Sequence, residues 1–150
     1  MKKGKSYSSQ SDKKEECARV LVPLLSHRES DGFFIEKISE GEGEIILLLV
    51  IDTKAMPGQF GFAANDIASG NQIMGEMRKA LARKKRECCD VIEWGETANK
   101  IEHLAMLRNA RKVFLVEQES QFFKKLVKEL EEKLSTVEIV RVKLPEPPKK

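Results

Sequence analysis

A chain of 150 residues with 41% hydrophobic and 34% charged residues fits one domain with a true core and a strongly solvated surface. It holds no run of 18 or more apolar residues, and its early lysines lead into no apolar stretch. Neither a transmembrane helix nor a secretory signal is therefore expected, and the reading points to the cytoplasm. The net charge of +3 sits at the ends: residues 1–14 carry five lysines against Asp12, and residues 141–150 carry Arg141, Lys143, Lys149 and Lys150 against Glu146. The stretch between is acidic overall, which argues against a domain built around a basic nucleic-acid groove.

Composition divides the chain into a basic tail over 1–14, a single α/β domain over 15–144 and a proline-rich tail over 145–150. The first tail is too poor in apolar residues to repay ordering and is expected to be disordered. Within the domain, Glu15 to about His27 reads as a helix, with Cys17, Val20, Leu21, Leu24 and Leu25 on one side and Pro23 as its weak point. Asp31-Gly32 reads as a turn and Phe33 to Ser39 as a strand. Gly41-Glu42-Gly43 reads as a tight reversal into a second strand, Glu44 to Ile51, so that the two strands make a hairpin. Ile45 to Ile51 is apolar throughout. A strand without polar alternation must be covered on both faces, as in the centre of an α/β sheet.

The remaining elements alternate. A helix is expected over Asn71 to Glu87, with Ser69 and Gln72 as a capping box and Ile73, Met74, Met77, Ala80 and Leu81 inward. Asp90 to Trp94 reads as a strand. Asn99 and Glu102 resemble a capping box opening the next helix, and Val113 to Val116 reads as another strand. Ser120 caps an amphipathic helix carrying Phe123, Leu126, Val127 and Leu130, and Val137 to Leu144 closes the sheet at an edge. The expected fold is a three-layer Rossmann-like or flavodoxin-like domain: a mostly parallel sheet of about five strands with one antiparallel hairpin strand.

Open parallel sheets bind ligands at the carboxyl ends of their strands. Each such end here carries acids: Asp52, then Glu93 and Glu96, then Glu117 and Glu119. Oxygen donors in this arrangement suit Mg²⁺, and the same acids also suit solvated strand ends and helix dipoles. The Asp52–Gly70 connection is long for a strand-to-helix loop. Lys54, Gly58, Gly61, Ser69, Gly70 and Asn71 are its candidate ligand-binding residues, with Ser69 to Asn71 expected at a helix N-terminus. Met56, Phe60 and Phe62 are its candidate interface residues. Neither G-x-G-x-x-G nor the P-loop spacing occurs. Arg78, Lys79, Arg83, Lys84, Lys85 and Arg86 form a basic patch that offers a nucleic-acid surface, but it sits at a helix C-terminus, where cations favour the dipole. Cys17, Cys88 and Cys89 follow no metal-ligand spacing and read as reduced thiols.

In element order and acid placement, residues 44–140 resemble two broad groups, the toprim domains and the PIN-type nucleases. The departures are specific. A toprim domain places a glutamate after its first strand and an Asp-x-Asp pair later, whereas here Asp52 comes first and the later segments read Glu-Trp-Gly-Glu and Glu-Gln-Glu. The resemblance implies Mg²⁺-dependent phosphoesterase or nuclease chemistry. Against it stand a ligand- or protein-binding module that self-associates as a homodimer, and a nucleotide- or anion-binding domain without turnover.

Overall fold

The computed structural model describes residues 19–41, 43–52 and 67–145. Its first strand, β1, is Arg19–Pro23, where sequence periodicity predicts a helix. Val20, Leu21, Val22, Leu24 and Leu25 are all buried, so the segment is apolar on both sides. A short apolar run of this kind has no period that separates a buried strand from a helix. The next element is also exchanged. Gly32–Ile38 is a helix, α1, and not a hairpin strand. Asp31 opens it by accepting a hydrogen bond from the Phe33 N–H at 2.9 Å. Phe34, Ile35 and Ile38 turn inward at helical spacing while Phe33 stays exposed.

From there the alternation holds. Strand β2 is Ile45–Ile51, buried at every position. Helix α2 is Ile67–Arg83, four residues earlier than its periodicity predicts. Strand β3 is Cys88–Trp94, α3 is Thr97–Leu107, β4 is Ala110–Val116, α4 is Gln121–Lys133 and β5 is Glu138–Val142. Ser120 caps α4 as its position predicts, accepting from the Phe123 N–H at 3.1 Å. The capping-box residue Asn99 lies inside α3, whose N-cap is Glu96. Cys88 and Cys89 are free and half-buried at the start of β3.

The five strands form one sheet in the order β3-β2-β1-β4-β5, and every pairing is parallel. The expected antiparallel strand is absent because Phe33 to Ser39 is helical. Two connections run toward β3 and two toward β5, so right-handed crossovers put α1 and α2 on one face and α3 and α4 on the other. Side-chain burial follows that division. Ile45, Leu47, Leu49 and Ile51 join the core of α1 and α2, and Ile46, Leu48 and Val50 join that of α3 and α4. Among the described residues, no helix is long and apolar enough to cross a membrane.

Candidate functional site at the sheet switch point

The connections change direction between β1 and β4. In an open parallel sheet, the crevice beyond such a switch point is where ligands bind. Pro23 helps to open it. The Val20 N–H bonds the Glu44 carbonyl at 2.9 Å and the Leu24 N–H bonds the Leu48 carbonyl at 2.8 Å, both on the β2 side. By alternation the Pro23 nitrogen faces β4, and it carries no hydrogen to extend the ladder. The β1–β4 pairs accordingly end at Leu21 and Val113, whereas β1 stays paired with β2 as far as Pro23 and Leu48. On its other side β4 continues with β5 to Val116 and Val142. The sheet parts between β1 and β4 at its carboxyl edge.

A tight loop follows β1. Glu29 is wholly buried there. Its Oε2 accepts hydrogen bonds from the Leu25 N–H, the Ser26 N–H and the Ser26 hydroxyl, each at 2.9 Å. Burial pushes its carboxyl pKa up, and those hydrogen bonds oppose the rise. The Arg28 N–H in turn bonds Ser26 Oγ at 3.0 Å, and His27 sits in the left-handed region at φ 66°. His27 and Arg28 are thereby held exposed on the rim. Across the crevice, after β4, the Gln118 side-chain nitrogen is buried with no hydrogen-bond partner among the described residues, as is Glu29 Oε1. Sequence reasoning overlooked Arg28 and Glu29 because it took the segment before them for a helix, and it passed over Gln118 because it weighed only the acids behind β4. The one available signal was a charged residue, Glu29, close behind the Val20–Leu25 apolar run.

The predicted acids are distributed along the edge. Asp52 follows directly on β2, which lies next to β1. Glu93 pairs with Lys100 at 3.5 Å and Glu117 with Arg141 at 3.8 Å. Glu96 is the N-cap of α3, and Glu119 precedes the Ser120 cap. Sheet order puts two strand spacings, about 10 Å, between β2 and β4, and three between β3 and β4. Among the described residues, no three His, Cys, Asp or Glu side chains come together as a metal-holding group.

Ser69 to Asn71 lie in the opening turns of α2, Ile67–Arg83, so Ser69 is inside the helix and is not its cap. Gly70 serves packing: a Cβ there would stand 2.8 and 2.9 Å from the Leu49 methyl carbons, so the glycine lets α2 lie close on β2. Lys54, Met56, Gly58, Phe60, Gly61 and Phe62 lie outside the described residues, as does Cys17. Several cations of the basic patch are engaged within the fold. Arg78 pairs with Asp90 at 3.3 Å and Lys84 with Glu36 at 3.1 Å. The Arg86 guanidinium donates to the carbonyls of Ser39, Gly41 and Gly43 at 2.6–2.7 Å, pinning the α1–β2 loop.

No protein-family model matches the chain, and no curated protein matches its sequence. Solved structures do share its fold. A universal stress protein family member from Burkholderia pseudomallei aligns over 83% of this chain and 95% of its own, with a TM-score of 0.58 and 12% identity. A universal stress protein from Archaeoglobus fulgidus aligns over 83% and 92%, with a TM-score of 0.58 and 10% identity. A universal stress protein solved in complex with cAMP aligns over 87% and 100%, with a TM-score of 0.58 and 11% identity. The chain thus has the α/β fold of the universal stress proteins, with a five-stranded parallel sheet between two helical layers.

Proposed function

We propose that this chain is a nucleotide-binding module whose ligand lies across the carboxyl ends of β1, β2 and β4. The carrying observation is the parting of β1 from β4 at the switch point, beside a loop pre-shaped by buried Glu29. The cAMP complex of a similarly folded protein supports the ligand class. Arg28, exposed on the rim, supplies charge to a phosphate. Asp52 accepts from ribose hydroxyls, as an acid beside the crevice does in other doubly wound sheets. The Gln118 amide donates to the base or sugar. Glu29 acts indirectly, by holding Ser26 to Arg28 in place.

Titration calorimetry with ATP, AMP and cAMP tests this reading. It expects saturable binding of at least one of them at one site per chain. Arg28→Ala should weaken it by about tenfold, the loss of one charge-assisted contact of about 1.4 kcal/mol. Absence of binding to all three, or an unchanged affinity in Arg28→Ala, contradicts it. Product analysis of the same samples separates binding from turnover.

A further inference from the structure

A second concavity lies on the α1 face, at the opposite end of the sheet from the switch point. Helix α1 has seven residues and rises only about 10 Å, less than half the length of the seven-residue strand β4. Helices α3 and α4 pack on the other face, so among the described residues a groove is left on this side over the amino-terminal part of β4 and β5. The groove has a cavity volume of about 540 Å³, within the roughly 300–1,000 Å³ range of small-molecule sites. Its floor is apolar: Val20, Ile38, Phe114, Val140 and Val142.

The rim is charged in a particular way. Successive strand residues normally point to opposite faces, yet Arg111 and Lys112 both line this groove. The cause is a break in register. Arg19 pairs with Ala110 but Val20 pairs with Lys112, so Arg111 is the extra residue of a bulge, which turns its side chain out of the normal alternation. Neither cation has an ion-pair partner among the described residues. Lys37, on the same rim, is engaged with Glu40 at 3.8 Å and lies over the Phe33 ring at 5.3 Å. Glu138, opposite Lys112 in register, contributes the one further negative charge. Arg111 and Lys112 against Glu138 leave a single positive charge over an apolar floor. That balance matches a monoanion with a hydrocarbon tail better than a dianionic phosphate.

We infer that this groove binds a free medium-chain alkyl carboxylate, with its headgroup between Arg111 and Lys112 and its tail along Phe114, Val140 and Ile38. The site is separate from the switch point and stands independently of the nucleotide reading. Decanoate, titrated into the full-length chain and followed by calorimetry and amide ¹H–¹⁵N shifts, is the probe, with decanol as the uncharged control. The expected result is one saturable site, with shifts at Lys37–Gly41, Arg111–Phe114 and Glu138–Val142. The double variant Arg111→Glu, Lys112→Glu should bind at least about tenfold more weakly, and Glu138→Gln more tightly than the parent. Both changes are on exposed side chains, and circular dichroism verifies that each variant folds. Decanol binding as tightly as decanoate, an unchanged affinity in the double variant, or shifts confined to other surfaces would overturn the inference. So would a dimer that takes up no decanoate, since a second copy would then occupy the groove.

Discussion

Glu29 concentrates the cost and the use of a buried charge in one side chain. Its Oε2 satisfies two backbone donors, the buried Leu25 N–H and the half-buried Ser26 N–H. Removing it in Glu29→Ala should destabilise the fold by about 1–3 kcal/mol, read by denaturant unfolding. The pH dependence has a definite sign. Burial raises the carboxyl pKa in the folded state, so its stabilising contribution is complete below the ordinary carboxylate range. That contribution is lost as pH rises through the raised value. Unfolding free energy should therefore fall with rising pH across that window, and Glu29→Gln should flatten the profile. An identical slope in both proteins would show that Glu29 does not titrate there. At Gly70, alanine gains about 1 kcal/mol of helix propensity but overpacks Leu49, at a cost of about 1–3 kcal/mol. A net loss of roughly 1 kcal/mol in thermal unfolding is expected. Burial also pushes the Cys88 and Cys89 thiols up. Both should alkylate more slowly at neutral pH in the folded than in the unfolded chain, measured by peptide mass spectrometry.

At the scale of elements, Pro23 is the informative residue. Placed in a helix it is a defect; at the end of β1 it stops one ladder while leaving the other intact. Pro23→Val restores an N–H facing β4 and should extend the β1–β4 ladder. The expected result is amide-exchange protection at position 23 together with weaker nucleotide binding. Unchanged binding would separate the crevice from the proline. The same residue shows where sequence reading reaches its limit. Ile45–Ile51, Val113–Val116 and the Ser120 cap were legible because a fully apolar run and a capping hydroxyl each have a single structural use. The Val20–Leu25 run and Phe33–Ser39 were exchanged because both are too short for their period to decide. That exchange hid the first strand of the sheet, and with it the switch point. The acids at strand ends were legible as residues, but their separation depends on strand order, which no local pattern encodes.

For the whole molecule, the sheet order creates two unlike concavities at opposite ends. One opens where β1 and β4 part, and the other is left where short α1 fails to cover β4 and β5. The fold shared with universal stress proteins at 10–12% identity fits an architecture set by buried strands and crossover geometry. The central claim is that the first concavity is the nucleotide site. Amide ¹H–¹⁵N shift mapping of the full-length chain with a saturating adenine nucleotide tests it most directly. The account predicts shifts concentrated in Leu24–Glu29, at Asp52 and in Glu117–Ser120. Shifts elsewhere with these segments silent, or no shifts at all, would contradict it.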